Sequence, residues 1–141
     1  KKREILIIKV INKISLSFMV NVIIAEKLIE KSGFKVAIAY NGEEALQKAQ
    51  ELHSECKKIS FVLMDIMMPI MNGYDAATAI RKLQREKRLP TINIFGLTGN
   101  VGSEFAARCR EAGMDSTITK PVKMDELITL IRPIVEQYEE I

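Results

Sequence analysis

The apolar positions of this chain fall into short continuous runs that alternate with helical repeats. Phe61-Val62-Leu63-Met64 is such a run, closed by Asp65 and followed by Pro69 and the turn pair Asn72-Gly73. Bounded in this way, it predicts a strand buried on both faces of a parallel sheet. Thr91 to Leu97 predicts a second strand that delivers Thr98, and Ser116 to Thr119 a third that delivers Lys120 just before Pro121. Phe34 to Tyr40 alternates as a strand does, and Asn41-Gly42 marks the turn after it.

Between the runs the period changes to that of a helix. Ala45, Leu46 and Ala49 place a helix from Glu43 to about Leu52, and Gly33 closes an earlier one containing Ala25 to Lys31. Ala76, Ala79, Ile80 and Leu83 form the apolar face of a helix from Ala76 to Arg88, ended by Pro90. Its Arg81, Lys82, Arg85 and Lys87 read as a solvated face. Ser103 is expected to cap a helix through Ala112 with Gly113 as its stop. A last helix runs from Asp125 to Tyr138, and Pro133 is expected to bend it.

Strands and helices that alternate with short connections argue an α/β fold, a doubly wound parallel sheet of five strands and five helices. A length of 141 residues fits one domain over 1–141, with an atypical amino-terminal segment, 1–21. An apolar content of 48% beside 28% charged residues is that of a soluble globular protein. The net charge of +3 is spread along the sequence, so no direct nucleic-acid partner is expected. Residues 5–25 are interrupted by Lys9, Lys13, Ser15, Ser17 and Asn21, which argues against a signal peptide or a membrane span. Cys56 and Cys109 have neither metal-ligand spacing nor the density of a disulfide scaffold, which fits a cytoplasmic setting. His53, the single histidine, sits in a polar helical run and reads as a surface residue. Without an initiator methionine the chain reads as part of something longer.

The chemistry converges on three strand ends. Open α/β sheets place their sites at the carboxyl ends of their strands, which brings together the Asp65 carboxylate, the Thr98 hydroxyl and the Lys120 amine. An aspartate can attack a phosphoryl group to give an acyl phosphate, a hydroxyl can bond a phosphoryl oxygen, and a lysine can neutralise its charge. A plain Asp65–Lys120 ion pair leaves Thr98 unexplained and gains little against its own desolvation.

From Asp65 through Met71-Asn72-Gly73-Tyr74 and Leu97-Thr98-Gly99 to Lys120-Pro121, the chain resembles the receiver domains of two-component response regulators, over roughly residues 33 to 138. The segment from Cys109 to Asp115 is similar to receivers of hybrid histidine kinases. The resemblance implies a flavodoxin-like fold with strand order 2-1-3-4-5. It further implies phosphoryl transfer to Asp65 from a phosphohistidine, a response by Thr98 and Lys120, and a histidine kinase or histidine phosphotransfer protein as partner. Magnesium is the family cofactor, held by Asp65 and by the backbone carbonyl of Met67. Met64, Met67, Met68 and Met71 otherwise read as packing material.

The amino end departs from the pattern. Receivers carry two acidic residues at the end of the first strand. If that strand is Ile5 to Ile8, its end carries Lys9 and Val10; counted back from Gly33 by the usual first-helix length, the end falls at Leu16 and Ser17. Neither register supplies an acid. With Asp65 and Lys120 alone the site sums to zero charge, which argues against tight binding of a hard divalent cation. Lys9 is either a substitute cation or a lysine snorkelling at a strand edge. Thr117, three before Lys120, stands where receivers often have a switch aromatic, so output is expected from the backbone after Thr98. Three functions follow from this pattern: a phosphorelay receiver, a pseudo-receiver that binds partners without being phosphorylated, and, less favoured for want of an acid or base beside Asp65, a small-molecule phosphatase.

Overall fold

The computed structural model describes residues 5–10, 34–67, 70–99, 102–119, 123, 125–126, 129–130 and 132–133. Five strands, β1 (Ile5–Val10), β2 (Phe34–Ala39), β3 (Lys58–Asp65), β4 (Asn93–Thr98) and β5 (Ser116–Thr119), form one sheet in the order β2-β1-β3-β4-β5. Every neighbouring pair is parallel. The helices described in full are α1 (Gly42–Ser54), α2 (Gly73–Arg85) and α3 (Ser103–Glu111). Residues 125–126, 129–130 and 132–133 are helical within the span expected for the last helix. The helix expected before Gly33 lies outside the described residues.

The first strand takes the earlier of the two registers. Ile5–Val10 lies between β2 and β3, with Lys9 opposite Ile38 and Leu63, and Val10 opposite Ala39 and Met64. Between Leu6 and Ile7 the pairing with β3 skips Ser60, a bulge that shifts the later register by one residue. The core is built from the apolar runs: Val62, Met64 and Ile94 are fully buried in one cluster with Ala76, Ala77 and Ile80 of α2, and Phe61 is fully buried against Phe95. Small alanines on α1 and α2 let both helices approach closely; Ala45 and Ala49 are as buried as the strand residues they cover.

The two Asn-Gly turns are helix starts. Asn41 Oδ1 accepts the Glu44 N–H at 2.9 Å, and the Glu44 carboxylate in turn accepts the Tyr40 N–H at 3.2 Å. Asn72 Oδ1 accepts the Asp75 N–H at 2.9 Å, so each asparagine satisfies a donor that the helix itself leaves open. Ser103 does not cap α3: the N-cap is Gly102, and Ser103 is already the first helical residue.

All three helices end alike. Cys56, Lys87 and Gly113 follow α1, α2 and α3 with φ of 59°, 61° and 99°. Each donates its N–H back to the helix, to His53, Gln84 and Arg110, and the next residue bonds one carbonyl earlier, to Leu52, Leu83 and Cys109. These paired bonds satisfy carbonyls that a helix end would otherwise leave open.

Arg81 is not part of the solvated face of α2. Its Nε donates to Gly113 O at 2.8 Å, one Nη to Ile92 O at 2.7 Å and the other to Asp115 Oδ2 at 2.8 Å. A guanidinium fork satisfies acceptors from two loops at once, which a helical hydropathy pattern cannot register.

Candidate functional site

β3 ends in Asp65 and β4 in Thr98, and the register sets Asp65 opposite Leu97, one residue before that threonine. Thr98 in turn pairs with Thr119, the last residue of β5. Lys120 follows Thr119 in sequence and lies outside the described residues. The Asp65 side chain is 1% exposed and Thr98 7%, so carboxylate and hydroxyl both sit at the floor of the sheet's carboxyl edge. Burial of a carboxylate is costly unless donors face it. One is the Met67 N–H, which donates to Asp65 Oδ1 at 3.3 Å.

The loop after Asp65 is held from two sides. The Gly73 N–H donates to Ile66 O at 2.9 Å, folding the start of α2 onto the strand end, and the Gly42 N–H donates to Met71 O at 3.1 Å. Gly73 has no room for a side chain: a Cβ there meets Asp65 O at 2.7 Å and the Ile66 Cα at 2.8 Å. The turn before α1 and the loop after β3 are therefore joined into one rim along the carboxyl edge of the sheet, where Asp65 lies.

Residues on that rim escaped the sequence reading. Met67, read as packing material, is exposed, whereas Met64 is buried and Met71 partly so. Met68 lies outside the described residues. Ile70 is exposed and has φ of 69°, a conformation that costs a residue with a Cβ about 1–2 kcal/mol. No sequence signal could have revealed it, because a β-branched residue is the last expected at a left-handed position.

A hard divalent cation needs several oxygen ligands. The strand beside β3 ends in Lys9 and Val10, and among the described residues no three His, Cys, Asp or Glu side chains gather where they could hold a metal ion. Thr117 lines a separate groove of about 340 Å³ with Asp125, Glu126 and Thr129, which includes neither Asp65 nor Thr98.

Away from the rim, Cys109 of α3 is buried against Tyr74 of α2, and the Arg108 guanidinium lies 4.2 Å from the centre of the Tyr74 ring. Burial pushes the Cys109 thiol up, against the lowering effects of its hydrogen bond with Tyr74 and of Arg108. The Tyr74 hydroxyl is also raised, first by burial and then by Cys109. A thiol held protonated in this way packs the α2–α3 contact and is a poor nucleophile. Among the described residues no helix is long and apolar enough to cross a membrane.

Comparison with known proteins agrees with this arrangement. The family model for the response regulator receiver domain matches residues 19–132. The match begins after β1 and takes in β2 to β5. The peroxide stress-activated histidine kinase mak1 of Schizosaccharomyces pombe is 30% identical over 118 residues, 83% of this chain and 7% of the kinase. Hybrid signal transduction histidine kinase K of Dictyostelium discoideum is 32% identical over 122 residues, 84% of this chain and 10% of that protein. The chain thus spans a tenth or less of the length of either relative.

Among solved structures, the receiver domain of sensor histidine kinase PA1611 from Pseudomonas aeruginosa, with a magnesium ion coordinated in its active site cleft, superposes with a TM-score of 0.71. It is 25% identical, with 94% of this chain and 98% of that one covered. A two-component response regulator from Clostridium difficile, 18% identical, gives a TM-score of 0.75 over 96% of this chain and 98% of its own, a likeness of fold. Because the family model spans most of the sequence, and its span holds both the buried aspartate and the threonine at neighbouring strand ends, this chain belongs to the response regulator receiver domain family.

Proposed function

We propose that this chain is a phosphorelay receiver, one domain over 1–141 with five helices wound on its sheet, whose Asp65 accepts a phosphoryl group from a phosphohistidine. The donor is a histidine kinase or a histidine phosphotransfer protein, and further domains of a longer chain are natural partners, as the relatives are much longer. A carboxylate oxygen of Asp65 attacks phosphorus, and the new P–O bond forms as the P–N bond breaks. The bonding pair returns to the imidazole nitrogen, which takes up a proton. Thr98 then bonds a phosphoryl oxygen, Lys120 balances the charge, and the backbone from Leu97 to Gly102 moves to give the output surface. The observation that carries this reading is the buried Asp65 at the end of β3, flanked by Thr98 of β4, in a member of the receiver family. Turnover of small substrates is not part of it; slow hydrolysis of the protein's own acyl phosphate is.

Magnesium enters differently from the family pattern. The end of β1, with Lys9 and Val10, supports no acidic ligand pair, and Asp65 with the Met67 carbonyl makes a meagre oxygen set for a hard cation. Lys9 is the candidate substitute cation. The same strand end favours one second reading, a pseudo-receiver that recognises partners without phosphorylation.

Intact mass after incubation with phosphoramidate, with and without magnesium, separates the two. One added phosphoryl group, lost in Asp65→Asn, is the expected result. No uptake by the folded wild type establishes the pseudo-receiver. Metal-independent uptake that falls in Lys9→Ala identifies the substitute cation, and uptake unchanged in that variant rejects it.

A further inference from the structure

Among the described residues three large apolar side chains are exposed, Tyr40 at 37%, Met67 at 66% and Ile70 at 78%. Tyr40 follows β2 and Met67 and Ile70 follow β3, so all three lie at the carboxyl edge of the sheet where Asp65 sits, and the bond from the Gly42 N–H to Met71 O ties the two loops together. Ile70 combines two liabilities. Its φ of 69° strains a β-branched residue where glycine or asparagine fits, and its side chain buries little apolar surface that could offset the strain. Conformations of this kind persist where the surrounding structure holds them, here in a loop tied at Ile66 O and Met71 O, and they cluster at functional sites.

The position of Asp65 indicates what covers them. At 1% exposure the carboxylate is at the floor of the edge, so a protein that brings a phosphorylated imidazole within bonding distance must press its own surface on the rim. A small phosphodonor has no such requirement. From this we infer that Ile70, supported by Met67 and Tyr40, is the contact by which the receiver recognises a protein phosphodonor, through an apolar patch surrounding the donor's phosphohistidine. Ile70 is thus a specificity-determining residue of the transfer step, an inference that rests on the receiver reading above. In that step the donor's P–N bond breaks as the P–O bond to Asp65 forms, and Ile70 takes no part in the bond changes.

The test compares wild type, Ile70→Gly and Ile70→Asn with two kinds of donor, phosphoramidate and a panel of histidine-phosphorylated kinase cores and phosphotransfer domains. Both substitutions suit a left-handed φ, so both variants are expected to melt at or above the wild-type temperature. Uptake from phosphoramidate is expected to be unchanged, while transfer from the protein donors falls about tenfold, the size of effect seen when one anchor of an interface is removed. Equal transfer in wild type and variants overturns the inference. So does an equal fall with both kinds of donor, which makes Ile70 part of the fold. Wild-type uptake from phosphoramidate but from no protein of the panel also overturns it, because the rim then recognises no such partner. Absence of uptake from every donor is the separate failure of the receiver reading, and the inference falls with it.

Discussion

Arg81 and Asp115, separated by 34 residues, meet at 2.8 Å between Nη2 and Oδ2, and the same carboxylate oxygen accepts the Ile94 N–H at 2.7 Å. The pair locks the carboxyl-terminal half of α2, the start of β4 and the turn before β5 into one unit at the edge of the sheet opposite Asp65. The ion pair is the lesser part of the lock. Asp115 is 45% exposed, and an exposed pair is worth at most about 1 kcal/mol. The guanidinium, 18% exposed, also serves Gly113 O and Ile92 O, and charge-assisted bonds to backbone carbonyls are worth more. Arg81→Ala is expected to lower stability by about 2–4 kcal/mol and Asp115→Asn by about 1 kcal/mol or less, read from urea midpoints. Arg81→Lys loses the fork and is expected to fall nearer to Ala than to wild type. Equal losses for the arginine and aspartate variants show instead that the ion pair dominates.

Gly73 couples fold to site directly. With a Cβ at 2.7 Å from Asp65 O, Gly73→Ala forces either the start of α2 or the end of β3 to move. The expected cost is about 1–3 kcal/mol and, on the proposed receiver function, slower phosphoryl uptake at Asp65 in the same variant. Gly99→Ala is the control for stability, since a Cβ there meets nothing within 4 Å and the expected change is about 0.5 kcal/mol or less. A Gly73→Ala protein with wild-type midpoint and wild-type uptake rejects this coupling.

The shared helix ending makes a prediction in the stabilising direction. Cys56 and Lys87 occupy left-handed positions where Gly113 has no Cβ to strain. Cys56→Gly and Lys87→Gly each relieve that strain but enlarge the freedom of the unfolded chain, so the net gain is expected to be about 0.5 kcal/mol each. Gly113→Ala does the reverse with interest, because its Cβ meets Arg81 Cγ at 2.6 Å, and the expected loss is about 2–3 kcal/mol. Thermal melts of the three variants check both signs.

How much of this could be read from the residues varies with the distance over which each feature acts. The run Phe61 to Met64 closing on Asp65 was legible because a buried parallel strand is apolar along its length and polar only where it emerges. Gly113 as a helix stop was equally local. The asparagines at 41 and 72 were recognisable as turn residues, though not as caps, since the bond that makes them caps depends on where the helix begins. Arg81 escapes a helical pattern for a physical reason: its acceptors beyond its own helix, Ile92 O, Gly113 O and Asp115 Oδ2, lie 11 to 34 residues away, and helical periodicity reports only the residue's own face. Ile70 left no mark, because backbone strain is set by the path of the loop and not by the identity of the residue. The first strand was open between two registers, and only its pairing with β2 and β3 selected Ile5–Val10.

The Cys109–Tyr74 contact makes stability fall with alkaline pH. Both groups are held above their ordinary values of 9.0 and 10.0, with burial as the largest cause, so near those values the folded protein binds more protons than the unfolded chain. Stability therefore declines as pH rises, by linkage. The contribution is complete below the unfolded thiol's value and is lost as pH climbs through the folded one. The urea midpoint is expected to hold from pH 7 to about 8.5 and then fall, and Cys109→Ala is expected to flatten the first part of that fall at the cost of a lower midpoint throughout. Tyr74→Phe keeps the ring beneath Arg108 and removes the hydroxyl, so it is expected to spare the midpoint at neutral pH and remove the steeper loss at higher pH. Rapid alkylation of the native protein at Cys109, at a rate like that of the exposed Cys56, contradicts the whole account, since a buried thiol with a raised value reacts only when α2 and α3 separate.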